Sequence, residues 1–303
     1  NFSCEASVGG GIPILMPLHQ SLAANQIESI VGILNGTTNY ILSQMTETGV
    51  NYANALADAQ KQGFAEADPT NDVCGFDAAR KLAILSSIGF RANITFDDVL
   101  VEGIEKIDKS DIQYAKDMGY TIKLLTVALR QENGIALNVY PAFLPDNHPL
   151  SSVKGAYNAI YVTGNIVDDV MFYGRGAGAL PTASAVMGDV ISTAQHILNG
   201  STGTGMIMTD TKRIPFYSSL KLQNSYYFRL DVDDVTGVLS QIAAAFAEND
   251  ISICEVVQKR KTKGLAELVL ITELASRESI LQVEKALQVL PCMRKVANVI
   301  RVM

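Results

Sequence analysis

Residues 121–145 read TIKLLTVALRQENGIALNVYPAFLP. Two apolar runs meet at Asn133-Gly134, a pair that favours the tight turn of a β-hairpin. Residues 156–174, AYNAIYVTGNIVDDVMFYG, repeat the pattern around Thr163-Gly164-Asn165. The centre of the chain is therefore expected to be a sheet of hairpins. Helical patterns flank it. FDAARKLAILSSIGF (76–90) carries Ala, Leu and Ile at helical spacing, with Gly89 as a stop. Residues 51–62 form a short amphipathic helix ended by Gly63. Residues 27–34 read as an apolar strand, broken at Asn35-Gly36 before a helix from Thr37 or Thr38. The opening NFSCEASVGGGIPIL suggests a strand running into a glycine-rich turn, with a helix over 18–28, and residues 93–119 suggest polar helical turns. GRGAGALPTASAVMGDVISTAQHIL (174–198) goes from strand through a glycine turn to a long helix. The fold class is α+β: a mixed or antiparallel sheet covered by helices.

The last 80 or so residues change character. SYYFRLDVDD (225–234) alternates as a strand, VTGVLSQIAAAFAENDI (235–251) is an amphipathic helix, and two strands, a helix and a last strand follow. The order β-α-β-β-α-β is the ferredoxin-like split unit. Between the halves, residues 199–217 are rich in Gly, Ser and Thr without a period. The expected domains are 1–200, a linker over 201–222, and 223–303.

Composition narrows the function. The 303 residues are 48 % hydrophobic, enough for sizeable cores, so disorder is excluded. The net charge of −7 disfavours nucleic acid and anionic membranes as partners. No apolar run reaches the roughly 18 residues of a spanning helix. Four scattered cysteines form no CxxC pair and read as reduced, cytosolic thiols. Three histidines, His19, His148 and His196, leave little material for a His-based triad or metal cluster.

The densest polar cluster is GFAEADPTNDVCGFDAARK, residues 63–81. Asp77 and Lys81 lie four apart and share a helix face. An exposed pair of this kind contributes only about 0.5 kcal/mol. The rest of that helix is apolar, however, and a Lys drawn toward a core beside carboxylates is a way to build a proton donor or acceptor.

This stretch resembles the homoserine dehydrogenase signature. Ala59, Gly63, Asp68-Pro69, Asp72, Gly75, Asp77 and Lys81 stand at the family's intervals, and EASVGGGIPI and GILNGTTNYIL resemble its upstream segments in the right order. The resemblance implies NAD(P)-dependent interconversion of L-homoserine and L-aspartate 4-semialdehyde in threonine and methionine biosynthesis. Lys81 would be the general acid or base; Glu66, Asp77 and, as a second acidic position, Asp72 would bind the substrate. Gly63, Gly176 and Gly178 would approach the nucleotide, the latter two in GRGAG, where a dinucleotide fingerprint taken alone is weak because Ala179 holds the last glycine position. The resemblance also implies a sodium ion at the first loop, held by Glu5 with Val8, Gly10 and Ile12. Residues 1–200 would then hold the substrate domain with a remnant of the nucleotide-binding domain at its ends. The family's opening GxGxxG half does not precede Asn1, so weak nucleotide binding and little turnover are expected of this chain alone.

The C-terminal segment DVDDVTGVLSQIAAAFAENDISI resembles an ACT domain. Its first turn, with Asp233, Val235, Gly237 and Val238, would face an amino-acid effector, by family association L-threonine. The alternatives are a module that only pairs copies, a non-catalytic amino-acid sensor, or a dehydrogenase for a different semialdehyde. A homodimer or homotetramer in the cytoplasm completes the expectation.

Overall fold

The structure is a computed structural model and describes residues 2–201, 213–262 and 264–303. Half of the expected linker, 202–212, lies outside the described residues. In the first half, β1 (Ile27–Ile33) leads into α1 (Gly36–Thr48) and α2 (Tyr52–Lys61). A single turn, α3 (Thr70–Val73), and the long α4 (Phe76–Phe90) follow. Then come β2 (Leu100–Val101), α5 (Lys109–Asp117) and the hairpins β3 (Tyr120–Gln131)–β4 (Gly134–Pro145) and β5 (Tyr157–Gly164)–β6 (Asp168–Arg175), before α6 (Ala179–Leu198). The second half runs β7 (Gln223–Asp233), α7 (Val238–Ala247), β8 (Ile253–Thr262), β9 (Leu265–Thr272), β10 (Ala275–Ser276), α8 (Arg277–Gln288) and β11 (Met293–Val302).

The α+β expectation holds, and both hairpins pair in register, Gln131 with Gly134 and Gly164 with Asp168. Three local readings are corrected. Residues 1–15 hold no strand among those described; a short 3-10 turn (Glu5–Ser7) stands there, because the carboxylate of Glu5 accepts the N–H groups of Ile14, Leu15 and Met16 and folds the segment back. The helix expected over 18–28 is one wide turn (Pro17–Ser21), and Ile27 already belongs to β1. Gly89 does not stop α4, which runs one residue further, to Phe90, and is capped by Arg91 in left-handed conformation.

All strands join one mixed sheet, ordered β6-β5-β1-β3-β4-β11-β7-β9-β8, with β2 beside β4 and β10 beside β7. The join between halves is a short parallel pairing, Arg301 with Ala142 and Val302 with Phe143. Nothing in the alternation of either half announces it. Residues 215–217 also strap onto β4: Ile135 donates to the carbonyl of Pro215, and Tyr217 donates back to Ile135.

One face of the β7–β11 layer buries Phe228, Leu230, Leu268 and Leu270 under α7 and α8. Its other face, with Tyr227, Val269 and Ile300, joins the core of the first half. Between them sits a buried polar network. Asp111 on α5 accepts Arg229 Nε at 2.7 Å, Tyr227 Oη at 3.1 Å and Asn298 Nδ2 at 2.8 Å, while Glu267 accepts Tyr114 Oη at 2.9 Å. Arg229, Asp111 and Glu267 are all buried, and hydrogen bonds to the charged groups offset part of the cost of removing them from water.

The long α6 differs from every other helix of eight residues or more: none of its twenty residues is buried, although Leu180, Ile191 and Ile197 are apolar.

Candidate active site

The signature loop hangs between α2 and α4. Gly63 closes α2 with φ 78°, in open space, where a left-handed backbone favours glycine. Asp68 then folds over Thr70, accepting its N–H and hydroxyl, and these bonds hold the Asp68 carboxyl below its ordinary pKa. Gly75, at φ 82°, starts α4 against Val101 and Val139, which leave no easy room for a Cβ. Asp77 and Lys81 stand on the first two turns of α4.

The end of β1 supplies the remaining piece. Asn35 caps α1, its Oδ1 accepting the N–H of Thr38 at 2.8 Å. Its amide Nδ2 donates both to Asp72 at 2.6 Å and to Asp77 at 2.9 Å. Lys81 Nζ meets Asp77 Oδ2 at 2.6 Å and the carbonyl of Leu34 at 3.2 Å. The side chains of Lys81 and Asp77 are 22 % and 31 % exposed, so the ion pair is partly shielded from bulk water. Asp72 Oδ2 and Asp77 Oδ1 accept no hydrogen bond from the described residues. Two carboxylates joined by one amide, one of them paired with Lys81, keep open acceptors that can receive an incoming ammonium.

Lys81, Asp77 and Asp72 are thus brought together, with Asn35 as the hub. Sequence reading gave Asn35 no role beyond breaking and capping; the amide's second function depends on the 37 and 42 residues of chain that separate it from its carboxylates. Glu66 is not joined to them by a hydrogen bond. It stands exposed, and only its carbonyl is held, by Gln60 Nε2.

The glycine loops meet one another near the start of α1. A Cβ on Gly10 would lie 2.3 Å from the carbonyl oxygen of Gly176, and Gly11 N donates to Arg175 O. A Cβ on Gly176 would lie 2.1 Å from the side chain of Asn158, which also borders Gly36 at the start of α1. Gly178, at φ 122°, begins α6. Asn158 Oδ1 is buried and has no partner among the described residues. At the first loop, the Glu5 carboxylate accepts three N–H donors, two on Oε1 and one on Oε2. The carbonyls of Val8, Gly10 and Ile12 are the further oxygens there.

At the β7–α7 turn, Asp233 is clasped by Arg294 at 2.7 and 2.8 Å. Val235 is exposed, Gly237 stands at φ 89° with open space around it, and Val238 is buried in the core.

The homoserine dehydrogenase family model matches residues 13–191, and the ACT domain model matches residues 226–292. The chain belongs to the homoserine dehydrogenase family. It is 41 % identical over 302 residues to the homoserine dehydrogenase of Corynebacterium glutamicum, covering 98 % of this chain and 67 % of that one. With the Bacillus subtilis homoserine dehydrogenase it shares 40 % identity, over 98 % of this chain and 69 % of the relative. A homoserine dehydrogenase structure from Thiobacillus denitrificans superposes with TM-score 0.93 at 36 % identity, covering 99 % of this chain and 70 % of that one. A hyperthermophilic archaeal homoserine dehydrogenase mutant in complex with NADPH aligns over 63 % of this chain and 55 % of that one, with TM-score 0.53 and 28 % identity. This homoserine dehydrogenase family member is therefore an oxidoreductase with a C-terminal ACT domain. No helix among the described residues is long and apolar enough to cross a membrane.

Proposed function

We propose that the chain contributes the substrate site for NAD(P)-dependent interconversion of L-homoserine and L-aspartate 4-semialdehyde. The observation that carries this reading is the half-open cluster in which Lys81 Nζ lies 2.6 Å from Asp77 while two carboxylate oxygens remain unmatched. The substrate's α-ammonium group would take those oxygens, on Asp72 and Asp77, with the exposed Glu66 closing over it. This leaves the aldehyde facing Lys81. As its carbonyl oxygen gains negative charge, Lys81 Nζ donates a proton to it and the alcohol results. In the reverse direction, neutral Lys81 accepts the hydroxyl proton. A nicotinamide cofactor supplies or receives the hydride when bound.

The glycine loops fit such a cofactor. Gly63 has open space, Gly176 and Gly178 lead into the N-terminus of a twenty-residue helix suited to phosphate, and the unmatched Asn158 Oδ1 offers an acceptor beside them. A sodium ion at the first loop would rest on the carbonyls of Val8, Gly10 and Ile12, and no step depends on it.

The ACT half supports feedback control by an amino acid of the same biosynthetic route, L-threonine, in a pathway to threonine and methionine. The exposed Val235 and Leu239 are compatible with pairing of copies into a homodimer or homotetramer. A cytoplasmic enzyme accords with the four free thiols.

The test is steady-state and single-turnover oxidation of L-homoserine by the enzyme that includes the nucleotide-binding half, as the wild type and as Lys81→Ala. Loss of the chemical step with L-homoserine binding retained is expected. An unchanged single-turnover rate would remove Lys81 from the reaction.

A further inference from the structure

One face of β5 presents Asn158, Ile160 and Val162, all buried. Ile160 and Val162 are ordinary members of the apolar core. Asn158 is an amide at 1 % exposure, and its Oδ1 has no partner among the described residues. A buried acceptor without a donor is destabilising, so an apolar side chain would serve the core better at this position. Stability alone does not account for the amide.

Packing supplies a reason. The amide lies against Gly176, where a Cβ would stand 2.1 Å from Cγ, 2.2 Å from Nδ2 and 2.5 Å from Oδ1 of Asn158. The same amide borders Gly36, whose Cβ would stand 3.5 Å from Oδ1 and 3.0 Å from the carbonyl oxygen of Ala156. Gly10 packs in turn on the Gly176 carbonyl. Glycine thus stands at each place where backbone closes on this stack. Gly36 follows Asn35, the residue that joins Asp72 to Asp77, and Leu34 beside it accepts Lys81 Nζ. Gly176 belongs to the turn read above as the approach to the nucleotide. One amide therefore touches backbone from both sides of the reaction.

The amide is also anchored. The residues that lead into it are fastened to α1: Asn39 Nδ2 donates to the carbonyls of Val153, Gly155 and Tyr157, and Gly155 N donates to Ser43 Oγ. Buried Lys123 on β3 completes the clamp, with Nζ donating to Asn39 Oδ1 at 3.0 Å and to the Val153 carbonyl. Asn158 cannot slide along α1 without breaking several of these bonds.

We infer that Asn158 is a positioning residue whose planar amide sets the separation between the substrate cluster and the glycine turn of the nucleotide, and with it the distance that the hydride crosses. The inference deepens the reading of the chain as the substrate site for L-homoserine oxidation and rests on it. Hydride transfer needs its two carbons in near-attack geometry, and a displacement of about 1 Å can cost about 10²-fold in rate. Substrate and nucleotide each keep their own contacts when the spacing changes. The fault then falls on the chemical step and not on KM.

The experiment is steady-state and single-turnover oxidation of L-homoserine with NADP⁺ and, separately, NAD⁺, by the enzyme that includes the nucleotide-binding half. The wild type is compared with Asn158→Ala, Asn158→Gln, Asn158→Asp and the core variant Val162→Ala, each also unfolded in urea. Asn158→Ala and Asn158→Gln should lower the single-turnover rate about 10–100-fold, with KM for L-homoserine and for the nucleotide within about threefold of the wild type. Asn158→Asp keeps the planar shape and should keep the rate. Val162→Ala should lose stability and keep the rate, which separates spacing from general loosening of the core. Asn158→Gln retains the amide and shifts it by one methylene, so it decides the matter even where Asn158→Ala does not fold. An unchanged single-turnover rate in Asn158→Gln, a loss carried by KM alone, or an equal rate loss in Val162→Ala would overturn the spacer. Failure of the wild type to oxidise L-homoserine with either nucleotide would overturn the functional reading instead.

Discussion

The molecule carries two carboxylate clusters that differ in one respect. In the interface between halves, the carboxylate oxygens of Asp111 and Glu267 meet donors: Arg229, Tyr227, Asn298 and the N–H of Asp108 around Asp111, and Tyr114 and Arg229 around Glu267. In the signature loop, Asp72 and Asp77 share one amide, only Asp77 meets the ammonium of Lys81, and an oxygen of each stays open. The first cluster is closed to water; the second is half exposed. A saturated network holds parts together and has nothing left to offer a ligand. An unsaturated one at an opening retains the capacity to bind. The difference separates the joint from the active site more sharply than the residue types, which are nearly the same.

That contrast is open to direct attack. Lys81→Ala should lower kcat for L-homoserine oxidation by about 10²–10⁴, the range of a general acid or base, with a smaller change in KM. The same variant should leave denaturant stability almost untouched, since a half-exposed ion pair contributes little. Asp111→Ala should do the reverse. Removing Asp111 leaves buried Arg229 only its longer contacts with Glu267 and Asp108, a loss of about 3–5 kcal/mol read from urea unfolding, or two separate transitions where the halves come apart. A neutral stability result for Asp111→Ala would mean that the network is not what holds the halves.

Asn35→Ser isolates the hub. Serine still caps α1, but its side chain is too short to bridge Asp72 and Asp77. Hydrogen bonds to charged groups contribute about 1.5–3 kcal/mol each, so kcat/KM should fall about 10–100-fold, chiefly through KM for L-homoserine. An unchanged kcat/KM in Asn35→Ser would reduce Asn35 to its capping role.

How much of this was legible in the sequence follows from range. The hairpins, α4 and the βαββαβ order were readable because periodicity and turn residues act over a few positions. The pairing of Asp77 with Lys81 was readable for the same reason, as one helix face. What stayed hidden joins distant segments. The opening 15 residues looked like a strand because their apolar and glycine pattern fits one, and only the capture of three backbone N–H groups by Glu5 decides otherwise. The sheet's continuity rests on two residue pairs between β4 and β11. Asn35 and Asp111 have no local signal for their roles, since each acts on side chains that the chain delivers from elsewhere.

A smaller effect sharpens the comparison from a third buried charge. Lys123 on β3 is almost fully buried, with its ammonium on Asn39 Oδ1 at 3.0 Å and on the carbonyl of Val153. No carboxylate of the described residues meets it directly, and Lys154, which is nearby, is itself paired with Glu47. Burial brings its pKa down to about 8, with the Lys154 charge adding to the fall. An unfolded lysine titrates near 10.4, so between about pH 8 and 10.4 the native state holds fewer protons than the unfolded one. Stability from this group therefore rises with pH across that window, and below it the full cost of the buried charge remains. Lys123→Met removes the titration while common groups cancel in the difference. The stability of the wild type minus that of Lys123→Met should increase by about 1–3 kcal/mol from pH 7 to pH 10, measured by urea unfolding. A flat difference would mean that the two oxygen acceptors compensate the ammonium as fully as the donors around Asp111 compensate its carboxylate. Saturation by neutral partners would then suffice for a buried charge.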